Sequence, residues 1–506
     1  MPLDVSRPDL SLAVIGTGVM GRGIAQVAAQ AGIRVLLHDS RPGAAQDAKD
    51  SISQQFSRLA EKSRLKPEEV ARANANLVVA DSLAALSSCH LVIEAVVENL
   101  EAKRELFRAL EAIVAEDCPM ASNTSSFSIT AIASACRRPE RVAGFHFFNP
   151  VPLMKVVEVV DGLLTAPWVG EALAALALRC GHRPVRAKDT PGFIVNHAGR
   201  GYGTEALRIL GEGIAEFHEI DRILRDCAGF RLGPFGLLDL TGLDVSHPVM
   251  ESIYRQYYEE PRFRPSPVAA QRVAAGLFGR KSGSGFYRYE GGKQEENPAP
   301  PAPAARARRV WISPIDLGEQ LSKCVATLDV EIDSSRRPSR ESLCLVAPIG
   351  DDATSIAIEE ELDPVRTVAV DCLFGLDKRR TLMTTPVTSA HMRDAAHALL
   401  ASDGVPVSVI HDSPGFVAQR VIAQVVNIAS DIAQQRIASP VDIDSAVTLG
   451  LGYPQGPLAW GDAIGAGTVL DILEALHEFY GDPRYRPSPW LKRRALLGVS
   501  LLTAEG

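Results

Sequence analysis

His146 and Glu158 each interrupt an apolar run, GFHFF and VVEVV, where a polar side chain is costly unless it finds a partner. Between them lies NPVPLM, whose two prolines favour a turn, so the flanking strands can sit side by side. Glu158 can then bond one ring nitrogen of His146 while the other faces a substrate hydroxyl. An imidazole steered by a carboxylate suits removal of a proton from an alcohol. Ser125 and Asn196 are small neutral donors, suited to an alkoxide-like oxygen in the transition state. A lone histidine in an apolar strand is more often a satisfied core residue; Glu158 is what turns the reading towards chemistry.

A hydride acceptor is implied by GTGVMG, in which Gly16, Gly18, Val19, Met20 and Gly21 follow an apolar strand and open a helix, the context a G-x-G-x-x-G needs. Gly16 permits a tight turn, Gly18 lets the backbone approach a pyrophosphate, and Gly21 lets helix and strand pack closely. The helix start offers free N–H groups to the phosphates. Asp39 closes the second strand, where a carboxylate accepts bonds from ribose hydroxyls and repels a 2′-phosphate. NAD is therefore expected rather than NADP, although Arg41 lies close by.

These residues need a scaffold. Strands are expected at LAVIG, RVLLHD, LVVA, LVIEAV, PMASN, RVAGFHFF and KVVEVV, with helices over 23–32 and, as one long polar stretch, 44–76. Strands alternating with helices predict a parallel, doubly wound sheet of Rossmann type, followed by an all-α domain. The chain then repeats itself. DTPGFIVNH and DSPGFVAQR share a pattern that continues without a gap from Asp189–Asp239 to Asp412–Asp462, and PRFRPSP reappears as PRYRPSP. The repeat predicts a second helical copy behind a degenerate copy of the sheet domain. The expected domains are 1–188, 189–290, a Pro/Ala-rich linker 291–309, 310–411 and 412–506.

The second copy has no glycine-rich loop, Gln419 replaces Asn196, Asp351 stands where Ser125 does, and Asp371 falls near the place of His146. No counterpart of Glu158 is evident. The second unit is therefore expected to lack chemistry. A net charge of −8 over 506 residues argues against nucleic acid as a partner. No apolar run is long enough to span a membrane. Eight scattered cysteines without a CxxC pair fit reduced thiols in a cytoplasmic protein and no metal site.

SNTSSFSIT, GFHFFNPVPLMKVVEVV and DTPGFIVN, with VIGTGVMGRGIAQVAAQAG, IEAVVENLEAK and FGRKSGSGFY, resemble L-3-hydroxyacyl-CoA dehydrogenases from Leu12 to about Tyr289. The resemblance implies His146 as base, Glu158 as its partner, and Ser125 and Asn196 on the substrate oxygen. It implies Glu98, Lys103 and Asn123 around the nicotinamide, Asn149 near the thioester, and Lys62 near CoA; Arg58 shares a helix face with Lys62. Single-copy members pair through their helical domains, so the fused second copy is expected to form an intramolecular pseudo-dimer, with further homo-oligomerisation open. NHAGRGYGTEALRIL departs from common members: His197 replaces an arginine, and Arg200 and Tyr202 are similar to the branch acting on 3-hydroxyadipyl-CoA in phenylacetate breakdown. Arg200 could pair with a distal carboxylate. The alternatives are a dehydrogenase of a CoA-free hydroxy acid and a non-catalytic relative.

Overall fold

The computed structural model of the protein describes residues 3–295 and 297–505; residues 1, 2, 296 and 506, at the edges of the expected first and last domains and inside the expected linker, lie outside the described residues. The first sheet comprises β1 (Ser11–Ile15), β2 (Arg34–His38), β3 (Leu77–Val79), β4 (Leu91–Glu94), β5 (Met120–Ser122), β6 (Val142–Phe147), β7 (Val156–Asp161) and β8 (Arg183–Lys188). Their order is β3-β2-β1-β4-β5-β6-β7-β8. All neighbours run parallel except β6 and β7. Strand order reverses between β1 and β4, which opens a crevice at their carboxyl ends. The central strands are buried on both faces, hence their mostly apolar runs.

Two local expectations need correction. The polar stretch 44–76 is two helices, Ala44–Glu61 and Pro67–Ala75. Pro67 has no N–H to continue the first helix and starts the second, the position proline tolerates best. Strand β8 was not expected: RPVRAK carries only Val185 and Ala187 as buried apolar residues, and it bonds a single neighbour, β7. An edge position is where a strand proline such as Pro184 is tolerated.

The chain divides into two compact units that do not follow chain order. The first runs up to His197 and takes in Gln435–Leu451; the second joins Ala198–Gln434 to Gly452 onward. The segment from the repeat joins the first unit through helix Pro440–Leu451, which packs on β7 and β8. It buries Ile443, Ala446 and Val447, and Lys188 N–H donates to the Ile437 carbonyl at 2.8 Å.

The second unit holds a six-stranded sheet ordered Glu331–Ile332, Arg309–Ile312, Leu343–Val346, Thr367–Asp371, Arg380–Thr384, Val407–Ile410. Only Thr367–Asp371 and Arg380–Thr384 are antiparallel. The last five strands therefore repeat the order and sense of β4 to β8, without counterparts of β2 and β3. Arg309 already lies in a strand, and Tyr289–Glu290 and Lys293–Gln294 form a hairpin, so both ends of the expected linker are ordered structure. In the same unit, helix Arg200–Gly211 crosses helix Ala418–Gln434 closely enough that a Cβ at Gly201 would lie 3.1 Å from Val425 Cα. Buried Arg420 there donates to Glu205 at 2.6 Å and to Glu212 at 2.8 Å.

Candidate active site

His146 and Glu158 face each other as Cα partners on the antiparallel pair β6/β7. His146 Nδ1 and Glu158 Oε2 are 2.6 Å apart. Glu158 is fully buried, and its other oxygen accepts the N–H groups of Ile194 (2.9 Å) and Val195 (2.8 Å). Three donors thus compensate a carboxylate that would otherwise be costly in this core. The two N–H groups arrive from a turn in which Gly192 (φ 78°) and Phe193 (φ 48°) are both left-handed. For phenylalanine that conformation is strained and persists only where the surroundings over-determine it. Asp189 fixes the turn's approach: it accepts from Ser128 Oγ (2.6 Å), Ile129 N (2.9 Å) and Thr130 N (2.7 Å). Asn196 directly follows Val195, so the turn that holds Glu158 also sets the place of Asn196. Phe148 lies 4.5 Å and Phe193 5.9 Å from the His146 ring, centroid to centroid.

The glycine-rich loop runs from the end of β1 into helix Val19–Gln30. Gly16 has φ 89°, and a Cβ there would meet Ala95 O at 2.5 Å. A Cβ at Gly21 would collide with the Gly16 carbonyl, whereas one at Gly18 would have nothing within 4 Å. Gly16 and Gly21 are thus closed in by protein, and Gly18 opens on empty space. Val19 is exposed and Met20 half-buried at the helix start. A cleft of about 650 Å³ runs past Gly16, Gly18, Asp39, Arg41, Ala95 and Val96. Asp39 accepts from Thr17 N and Thr17 Oγ1, each at 2.8 Å, and from Arg41 Nε at 3.2 Å. Burial opposes its charge, but the Arg41 and Thr17 hydrogen bonds win and hold it well below the usual carboxylate range. These residues fit a dinucleotide whose ribose meets Asp39 and whose phosphates meet the helix start.

Between loop and dyad lies a network that the sequence reading found only in part. Glu94, at the end of β4, is fully buried and was not singled out. Its Oε1 accepts from Lys103 Nζ (2.7 Å) and Val96 N (2.7 Å), its Oε2 from Ser122 Oγ (2.6 Å). Lys103 also reaches Glu98 at 3.2 Å. Glu98 Oε1 accepts from Thr124 Oγ1 (2.6 Å), Ser125 N (3.1 Å) and Ser126 Oγ (2.8 Å). Burial raises the Glu98 pKa, but Lys103 and the hydroxyl donors lower it more, leaving it below the ordinary value. Asn123 Oδ1 accepts from Phe147 N at 2.8 Å, tying β5 to the histidine strand. The sequence signal for Glu94 was the one that flagged Glu158, a carboxylate inside an apolar strand.

Arg58 and Lys62 are exposed at the end of helix Ala44–Glu61, and Asn149 follows β6 in the loop before β7. Arg200 opens a helix of the second unit, where burial pulls its pKa down to about 10 against the influence of Tyr453. His197 is buried.

The second unit has different chemistry at the same places. The PGF turn is retained, with Gly415 at φ 71° and Phe416 at 49°. Asp412 accepts from Ala353 N (2.8 Å) and Thr354 N (3.2 Å), as Asp189 does from Ile129 and Thr130. Asp371 takes the place of His146, and its register partner, standing for Glu158, is Thr381, a counterpart that the sequence did not reveal. Gln419 Nε2 donates to Asp371 Oδ1 at 3.0 Å and to Pro348 O at 3.2 Å, so it plugs the site from within. The cleft at Asp351, about 560 Å³, is walled by Glu359, Asp471, Glu474 and Glu478. Burial, then repulsion from Glu359, pushes Asp351 up to about 6. Such a wall repels phosphates.

A glycine-rich loop at a helix start and an imidazole–carboxylate pair on one mostly parallel sheet are the parts of a dinucleotide-dependent dehydrogenase. Residues 11–190 match the NAD binding domain of 3-hydroxyacyl-CoA dehydrogenase, and residues 192–289 and again 415–500 match its C-terminal domain. The chain is 40% identical over 487 residues to 3-hydroxyadipyl-CoA dehydrogenase of Escherichia coli K12, covering 96% of this chain and 98% of that protein. It is 41% identical over 283 residues to human mitochondrial hydroxyacyl-coenzyme A dehydrogenase, covering 55% of this chain and 90% of that one. A crystal structure of 3-hydroxybutyryl-CoA dehydrogenase from E. coli K12 superposes with a TM-score of 0.84 at 39% identity, over 97% of this chain and 98% of that one. The chain belongs to the 3-hydroxyacyl-CoA dehydrogenase family and is an NAD-dependent oxidoreductase of 3-hydroxyacyl-CoA. Among the described residues no helix is long and apolar enough to cross a membrane.

Proposed function

We propose that His146 is the base that takes the hydroxyl proton of an L-3-hydroxyacyl-CoA, with Glu158 orienting its ring. The observation that carries this reading is the 2.6 Å contact between His146 Nδ1 and Glu158 Oε2, which leaves Nε2 as the nitrogen for substrate. Bound NAD would supply the acceptor for the C3 hydride, and His146 takes the hydroxyl proton, which leaves a 3-oxo group. Ser125 and Asn196 bond the oxygen while negative charge builds on it. Gly16, Gly18, Val19, Met20, Gly21 and Asp39 hold the adenosine half, and Glu98, Lys103 and Asn123 the nicotinamide side. Asn149 and Lys62 serve the thioester and CoA. In the assay that tests the base, NADH formation from 3-hydroxyacyl-CoA, His146→Gln should abolish turnover and spare NAD binding; unchanged turnover sinks the assignment.

For the acyl group we propose 3-hydroxyadipyl-CoA, with Arg200 pairing its distal carboxylate. The similarity to the E. coli 3-hydroxyadipyl-CoA dehydrogenase along both halves supports it; 3-hydroxybutyryl-CoA is the second candidate, because the similar crystal structure is of a 3-hydroxybutyryl-CoA dehydrogenase. Arg200→Ala should cost turnover of the dicarboxylic substrate alone, and an equal loss on both removes the idea. We read the chain as an NAD-binding sheet domain, a helical domain and degenerate copies of both, the helical copies forming a pseudo-dimer through Arg420, Glu205 and their neighbours. Its eight unpaired thiols suit the cytoplasm.

A further inference from the structure

We infer that Gly450, in the carboxy-terminal half, is a positioning residue for the reaction performed by the amino-terminal half. The inference rests on the roles proposed for His146, Glu158 and Asn196. Helix Pro440–Leu451 packs on β7, the strand of Glu158. At Gly450 the approach is close. A Cβ there would lie 3.0 Å from Val195 Cγ2, 3.3 Å from Val195 Cγ1 and 3.5 Å from Val156 Cγ1. Val195 and Val156 are buried, so neither can swing into solvent.

Val195 is where this contact meets the chemistry. Its N–H is one of the two that hold Glu158 Oε1, and Asn196 is the next residue. Glycine is a poor helix residue, and here it sits in the last turn of a helix whose other inward positions, Ile443, Ala446 and Val447, are ordinary apolar residues. Its missing side chain gives the helix room to lie against the turn without moving it. Tethers on this segment include the Ile437 carbonyl, bonded by Lys188 N–H at 2.8 Å, and Asp442, which accepts from Arg186 N–H at 3.5 Å and lies 3.8 Å from Arg183. At the offset of the internal repeat, Val195 and Gly450 correspond to Ala418 and Cys227, so the bulk is exchanged between the two sides where there is no dyad to position.

The test uses the full-length protein, with kcat, KM for NAD and thermal denaturation measured for Gly450→Ala, Gly450→Val and each combined with Val195→Ala. Expected is a fall in kcat that grows with side-chain size, roughly tenfold or more for valine, since small displacements at a reacting centre are amplified. KM for NAD stays at the wild-type value, because the adenosine half is held elsewhere, and Val195→Ala restores most of the lost kcat. Wild-type kcat in both single variants overturns the inference. So does a loss in a folded variant that Val195→Ala leaves uncorrected. Should Gly450→Val fail to fold, the alanine pair decides by the same criteria. His146→Gln run alongside separates the failures: if it is active, the base assignment falls; if it is dead while Gly450→Val is fully active, only the positioning role falls.

Discussion

The two sheets keep one skeleton and differ in what hangs on it. Both carry an antiparallel pair in the same place, a PGF turn with a left-handed phenylalanine, and an aspartate that clips the turn to a helix start. On the first, the paired strands present His146 and Glu158; on the second, Asp371 and Thr381. The backbone that aims the dyad therefore survives without the dyad. What the second sheet lost is the strand–helix–strand start that cradles phosphates, and its cleft became acidic. Scaffold and chemistry are separable here because main-chain hydrogen bonds and apolar packing set the turn, while catalysis needs particular side chains at its tip.

The sharpest way to break this comparison is at the dyad. His146→Gln should lower kcat by about 10³-fold with NAD affinity retained, measured by NADH formation and by titration of the cofactor. Glu158→Gln keeps the shape but offers an amide where N–H groups converge, and kcat should drop by about 10²-fold.

Asp371→Asn tests the other side. Burial pushes Asp371 up to about 6 from 3.8, so the unfolded chain ionises first and folding loses stability as pH rises between those values. Above about 6 the whole penalty stands. Asparagine keeps the Oδ1 that accepts from Gln419 and Leu373. It should stabilise the protein by about 3 kcal/mol at neutral pH in denaturant titrations, give no gain below pH ~4, and leave kcat alone. A fall in kcat would mean that the second sheet is not spent. The smallest effect belongs to Asp39→Ala, which should raise KM for NAD by about tenfold and narrow the preference over NADP, as Arg41 is freed.

The parts of the candidate site that can be read in the sequence are those where a polar residue breaks an apolar run, or where glycines fall at fixed spacing. His146, Glu158 and the loop at Gly16 carry such marks, and Glu94 carries one that was passed over. β8 carried none, because an edge strand half in solvent has no apolar run to break. Thr381 carried none because threonine is an ordinary strand residue. Nor does any local pattern say that helix Pro440–Leu451 rests on β7 and β8; that depends on which of two similar sheets a similar helix reaches, a choice settled by contacts far apart in the chain.

Seating that helix on the early strands has a bearing on synthesis. A ribosome delivers the histidine strand, the carboxylate strand and the glycine-rich loop long before it reaches Ile437. Until then the face of β8 that this helix covers waits uncovered, so the first unit cannot finish folding until most of the second has been made. Competence in this enzyme should arrive late and all at once, near the end of translation, and a nascent chain halted at the proline-rich stretch should be a substrate for chaperones rather than a working half.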